Sequence, residues 1–155
     1  MKIFSSEGEY DLNPAFPSVF LAGPTLRGAD KAKYPNWRRQ AVRLFSDAKY
    51  CGALYSPDPF APTKHEQIDW EVYHLEKSTC IMFWIPRDLE VLPGFTTNVE
   101  FGEWMRSGKT VLGFPSGARK MTYLEYRAEK YDVPVSNTLK DTVCNAMRLC
   151  SRAGR

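Results

Sequence analysis

The chain has 155 residues, with 21 Lys plus Arg against 18 Asp plus Glu, a formal charge of +3 and 43% apolar residues. A chain of this size buries roughly 70% of its unfolded surface, so residues 1–155 are expected to form one domain, with 1–18 as an N-terminal extension or hairpin, without disulfides or a structural metal. The near-neutral charge gives no reason to invoke nucleic acid, whose binders usually cluster Lys and Arg at a domain pI above about 9.

The start, Met1 to Glu7, contains an acid and no long apolar stretch, so a signal peptide is not expected. The longest apolar run, Cys80 to Pro86, is far shorter than the ~20 residues of a spanning helix, and no membrane association is expected. Cys51, Cys80, Cys144 and Cys150 lack CxxC pairing, and His65 and His74 form no HExxH motif. The expectation is no zinc site, no metal, and reduced thiols in the cytoplasm.

In chain order, residues 1–12 alternate only weakly and read as a possible strand or hairpin. Val19-Phe20-Leu21-Ala22 is a continuous apolar run ended by Gly23-Pro24, which predicts a strand buried on both faces. Asn36 is the predicted N-cap of a helix carrying Ala41, Leu44, Phe45 and Ala48 at helical spacing until Gly52. Ala53-Leu54-Tyr55 predicts a second strand, stopped by Ser56-Pro57-Asp58-Pro59. Thr63-Lys64-His65-Glu66 has capping-box spacing and opens a helix with Ile68, Val72 and Leu75 on its expected inner side, ending near Lys77. Cys80 to Ile85 is the strongest predicted strand, followed by a loop through Pro93-Gly94. Thr97-Asn98-Val99-Glu100 repeats the capping-box pattern before a helix closed by Gly108. Thr110 to Phe114 predicts a strand, Tyr123 to Tyr131 a short helix and Val133-Pro134-Val135 a last strand. Thr138 to about Ser151 predicts an amphipathic helix using Leu139, Val143, Met147 and Cys150.

Strands alternating with helices predict an α/β chain: a flavodoxin-like, doubly wound, five-stranded parallel sheet flanked by helices. Such sheets bind ligands outside the carboxyl ends of their strands, where strand order reverses. The residues that follow strands are therefore the ones to inspect: Gly23, Pro24, Thr25 and Arg27, then Ser56-Pro57-Asp58, then Pro86 through Asn98. The first loop lacks both G-x-G-x-x-G and the P-loop pattern, so neither NAD nor ATP hydrolysis is indicated.

Glu100 is expected in the first turn of its helix, where the positive end of the dipole favours an ionised carboxylate. That is what a glycosyl-transfer nucleophile requires; an ordinary helix cap explains Thr97-x-x-Glu100 as well. Glu71 follows Ile68 by three positions, at the edge of the expected buried stripe, where burial would make it a proton donor. Pairing with a nearby Arg or Lys is the alternative. Asp69 lies about 100° round the helix from Ile68 and is less well placed. Trp70, roughly opposite Ile68, is read as an outer-face aromatic that suggests a subunit contact or simple exposure. Arg27, Lys31, Lys33, Arg38, Arg39 and Arg43 could hold a phosphate, or form a solvated helix face and loop. Trp84 could stack on a nucleobase, or simply fill the core.

Val19-Phe20-Leu21-Ala22-Gly23-Pro24-Thr25, Trp37-Arg38, Tyr55-Ser56-Pro57, Trp70-Glu71, Ile81-Met82-Phe83-Trp84-Ile85-Pro86 and Asn98-Val99-Glu100-Phe101-Gly102 with Gly108-Lys109 together resemble the nucleoside 2-deoxyribosyltransferase family, nearest its 2-deoxyribosyltransferase-like branch. The resemblance runs from about Val19 to Phe114. It implies the flavodoxin-like sheet, Glu100 as covalent nucleophile, and Glu71 as the acid acting on the leaving base, with Asp69 as fallback. It also implies a nucleoside or nucleotide plus a free nucleobase as partners, no cofactor, and a homo-oligomer with shared active sites. Phe20 stands where several family members carry a tyrosine that orients the nucleophile. Arg152-Ala153-Gly154-Arg155 does not look like the tail whose terminal carboxylate joins a neighbour's site in some members. Base exchange, N-glycosidase activity and a catalytically silent nucleotide- or ribose-binding sensor therefore stand as alternatives.

Overall fold

The computed structural model describes residues 1–5, 16–26, 35–57 and 63–153. Among these, β1 (Lys2–Ser5), β2 (Ser18–Ala22), β3 (Ala53–Ser56), β4 (Cys80–Trp84), β5 (Thr110–Gly113) and β6 (Val135–Ser136) form one sheet of order β1-β3-β2-β4-β5-β6. Every neighbouring pair is parallel. The fold is a doubly wound, flavodoxin-like α/β fold. Its sheet has six strands rather than the five expected, because β1 adds an edge strand in register with β3, from Lys2 opposite Ala53 to Ser5 opposite Ser56.

Among the described residues, five helices cover the sheet: α1 (Trp37–Asp47), α2 (Lys64–Lys77), α3 (Phe95–Trp104), α4 (Thr122–Lys130) and α5 (Leu139–Ala153). Every residue of β2, β3 and β4 is buried, as continuous apolar runs in a sheet covered on both faces predict. On one face, α1 and α5 pack Ala41, Phe45, Val143, Ala146 and Cys150 onto Val19, Leu21, Met82 and Val111. On the other, α2, α3 and α4 bring Trp70, Leu75, Phe101, Met105 and Leu124 against Phe20, Tyr55, Ile81 and Phe83.

Helix starts follow the predicted caps in two cases of three. The Asn36 side chain accepts from Arg39 N–H, and Thr63 with Glu66 forms a complete capping box. Helix α3 instead starts at Phe95, after Gly94 in the left-handed region (φ 68°), with no side-chain cap bond. The Thr97 side chain is turned inward and buried, so Thr97-x-x-Glu100 is not a cap.

Helix α2 buries Leu75 as predicted but turns Ile68 and Val72 outward. Ile68 and Val72 are exposed (55% and 49%), whereas Trp70 is 1% exposed and fills the core beside Phe20, with ring centroids 6.0 Å apart. The expected outer-face role of Trp70 in a subunit contact is thereby overturned. Gln67, Trp70, Glu71 and His74 also repeat at i, i+3, i+4 and i+7, and burying one tryptophan outweighs burying an isoleucine and a valine when the tryptophan can stack. It does so edge-on against Tyr55 (6.4 Å) and tilted against His74 (4.3 Å).

Candidate active site

Strand order reverses at β2, since β3 lies on one side of it and β4 on the other. A ligand crevice is expected beyond the carboxyl ends of β2 and β4, and a cavity of about 510 Å³ lies there. Phe20, Ala22, Gly23, Pro24 and Thr25 line it from β2 and the chain beyond, with Pro57 after β3. Glu71 comes from α2, Glu90 to Gly94 from the loop after β4, and Thr97 and Glu100 from α3.

Gly23 is required at the cavity floor. Its φ is +149°, and a Cβ there would lie 2.2 Å from the Trp84 carbonyl oxygen and 2.8 Å from the Trp37 ring. The turn after it is fixed from α1. Trp37 Nε1 donates to Pro24 O at 2.9 Å, and Arg38 donates through Nε to Leu21 O (3.1 Å), Nη2 to Gly23 O (2.6 Å) and Nη1 to Thr25 Oγ1 (2.5 Å). Arg38 is 5% exposed and lines the cavity. Its reading as part of a solvated basic face is therefore corrected, while Arg39 and Arg43 are exposed as that reading holds. The missed signal is that Arg38, Ala41 and Phe45 recur at i, i+3 and i+7, on the buried stripe of α1.

Glu100 sits in the second turn of α3, beyond the first-turn reach of the helix dipole, which corrects its expected first-turn place. Burial, reinforced by the nearby negative charge of Glu71, raises its carboxyl from 4.5 to about 8; the Arg38 guanidinium works against the rise. Glu100 is thus mainly protonated at neutral pH, contrary to the ionised state argued from the dipole. Glu71 is partly buried, and its Oε1 accepts a 2.7 Å hydrogen bond from Gln67 Nε2, which also donates to Pro57 O at 3.3 Å.

The loop after β4 walls the cavity through a tight turn. Asp88 Oδ1 accepts from the N–H groups of Glu90 (2.8 Å) and Val91 (3.1 Å), which hold its carboxyl below the usual range. Arg87, 7% exposed, donates to Lys120 O (3.0 Å) and to Asn98 Oδ1, tying the loop to α3 and to the chain before α4.

The cavity therefore brings together Glu100, Glu71, Gly23, Pro24 and Thr25 among the expected site residues. It does not include three others. Asp69 is exposed, one position away from the inward face of α2. Trp84 is 7% exposed and packs in the core between the sheet and α1 and α5, as its core-filling alternative expects. Asn98 faces a separate cavity of about 240 Å³ with Phe101, Tyr123 and Arg127, and serves as the Arg87 acceptor. Arg27, Asp58, Lys31 and Lys33 lie outside the described residues. The residues that pattern reading missed are Gln67 and Arg87, both buried polar groups, while Arg38 was singled out only as one of six cations. Among the described residues no group of three or more His, Cys, Asp or Glu could hold a metal ion, and no helix is long and apolar enough to cross a membrane.

No curated protein matches the chain. A family model described as nucleoside 2-deoxyribosyltransferase like matches residues 16–118, from just before β2 to the turn that precedes α4. That stretch contains every described lining residue of the larger cavity, and it spans more than half of the chain. The chain belongs to the nucleoside 2-deoxyribosyltransferase-like family.

Proposed function

We propose that this chain transfers a sugar at the N-glycosidic bond of (2′-deoxy)nucleosides, through a covalent ester between the sugar and Glu100. The observation that carries the proposal is the convergence of Glu71 and Glu100 on one cavity at the switch point of the sheet. Ionised Glu100 attacks C1′ as the bond to the base breaks; the electron pair leaves with the base, which takes a proton from Glu71. A second base then attacks C1′, returns its proton to Glu71 and releases Glu100. Two inversions retain the configuration.

This cycle needs one proton shared by two carboxylates. Their mutual repulsion, which helps to raise Glu100, favours holding that proton. Arg38, buried and fixed by three hydrogen bonds, offsets the charge of Glu100 when the proton resides on Glu71. Outside the cavity, exposed Ile68 and Val72 on α2 and Phe95 and Val99 on α3 give this side of the sheet an apolar exterior. Phe95 also lines the cavity, which supports a homo-oligomer whose neighbouring subunit covers the site. Four free cysteines fit a reducing cytoplasm.

One observation favours a second reading. Phe20 lines the cavity without any hydroxyl to orient Glu100, as expected of a binding module that has lost turnover. Incubation with deoxyinosine and free adenine separates the readings. Deoxyadenosine and hypoxanthine are expected. Hypoxanthine with free deoxyribose marks an N-glycosidase, and binding without either product across several nucleosides and nucleotides rejects the enzyme.

A further inference from the structure

The buried amide of Gln67 is attached to the cavity without lining it. It is 9% exposed and stands one helical turn before Glu71 on α2. The capping box at Thr63 and Glu66 fixes the start of the helix immediately before it. Its nitrogen lies 3.3 Å from Pro57 O and 2.7 Å from Glu71 Oε1. A peptide carbonyl can only accept, so the Pro57 contact requires the NH₂ end of the amide to face both oxygens and settles which way it points.

We propose that Gln67 is a positioning residue that determines which oxygen of Glu71 delivers the proton to the departing base. With Oε1 occupied by an N–H donor, the proton of the neutral acid belongs on Oε2. The second N–H, anchored to the end of β3 through Pro57, stops the amide from following Glu71 if the carboxyl rotates. The inference rests on the proposed role of Glu71 as the acid in base departure and adds the group that aims it.

The test compares two donors. The base of deoxyinosine leaves with a proton from an acid, whereas 7-methyl-2′-deoxyguanosine carries a positive purine whose bond electrons neutralise it on departure. Gln67→Ala is expected to slow base release from deoxyinosine by at least about tenfold, part of the ~10²–10⁴-fold that general acid catalysis provides, and to leave the methylated donor within about twofold. Gln67→Glu, nearly isosteric, sets a second carboxylate against Glu71 and is expected to move the alkaline limb of the pH–rate profile upward, because Glu71 keeps its proton to higher pH. Equal losses on both donors, or no loss on deoxyinosine, would overturn the inference.

Glu71→Gln is the control for the reading beneath it. If that variant loses both donors equally, Glu71 is not the acid and both readings fall; if it is selective while Gln67→Ala is not, only Gln67 is removed. A measurement without turnover covers an inactive preparation: the ¹⁵N-labelled side-chain amide of Gln67 should shift as the Glu71 carboxyl titrates. The shift should vanish in Glu71→Gln. An amide resonance unaffected by pH in the wild type would contradict the contact.

Discussion

The two faces of the sheet are built differently. Under α1 and α5, below the first turn of α1, inward positions are almost all apolar, such as Ala41, Phe45, Val143 and Ala146, and the helix pattern read from the sequence matches the burial except at Ala48, which is exposed at the end of α1. Under α2 and α3 the inward positions include Gln67, His74 and Thr97, with Glu71 and Glu100 at the cavity, while Ile68, Val72, Phe95 and Val99 point outward. The first face is a plain core. The second gives its inner positions to polar groups at the cavity and leaves apolar groups on the outside, so hydrophobic periodicity misleads there.

Four measurements press on this contrast, taken from the largest expected effect to the smallest. Glu100→Gln should lower base exchange by at least about 10³-fold, the scale for removing a covalent nucleophile, and keep the fold by circular dichroism. Val143→Ala, on the other face, should lower stability with kcat/KM unchanged. If Val143→Ala damages exchange as severely as Glu100→Gln, the two faces are not separable.

Trp70→Ala should destabilise the chain by about 3–5 kcal/mol in denaturant titration, as for other buried large-to-small changes. Ile68→Ser should change monomer stability by less than about 0.5 kcal/mol but weaken self-association in sedimentation. The reverse order would restore the face of α2 that Ile68 and Val72 suggest.

The third measurement is stability against pH. Unfolded Glu100 titrates near 4.5 and folded Glu100 near 8, so between these values the folded state holds more protons and stability falls as pH rises. At ~1.4 kcal/mol per pH unit of displacement the loss is of order 2–4 kcal/mol, and Glu100→Gln should abolish it. His74 has the opposite sign: burial lowers it from 6.5 to about 4, so its contribution is lost as pH falls from 6.5 towards 4. A wild-type chain equally stable at pH 5 and pH 8, and unaffected by Glu100→Gln, would contradict the buried carboxyl.

The smallest effect concerns catalysis in the same pH range. The carboxylate pair gives up its shared proton near 8, so kcat/KM should fall severalfold from about pH 7 to about pH 8.5, as the acid that Glu71 must supply is lost. A rate independent of pH through this interval would remove the pair as the titrating group.

Much of the fold was legible because its signals are local. Val19 to Ala22 and Cys80 to Ile85 are unbroken apolar runs closed by Gly or Pro, and Asn36 and Thr63 carry caps that need only neighbours in sequence. Strand β1 was less legible, since its short edge segment gains its partners from β3 far along the chain. The start of α3 was misread because two chain features compete: Thr97-x-x-Glu100 has the right spacing, but Gly94 adopts the left-handed turn that begins the helix earlier. The meeting of Glu71 with Glu100 follows from the switch-point rule and survives the outward turn of Ile68 and Val72, because Glu71 borders both possible stripes. Arg38 was grouped with exposed cations and Gln67 was passed over for Ile68 and Val72, although each lies on a helical stripe; the carbonyls that fix them, Gly23 O and Pro57 O, are distant in sequence.

The proposed cycle depends on a sugar–carboxylate bond at Glu100. A 2′-deoxy-2′-fluoroarabinosyl nucleoside, whose fluorine slows breakdown of such an ester, should label the chain, and mass spectrometry of its peptides should find the added sugar on Glu100 alone. Labelling of Glu71 or Glu90 instead, or turnover of deoxyinosine without any adduct that the fluorinated sugar can trap, would contradict it.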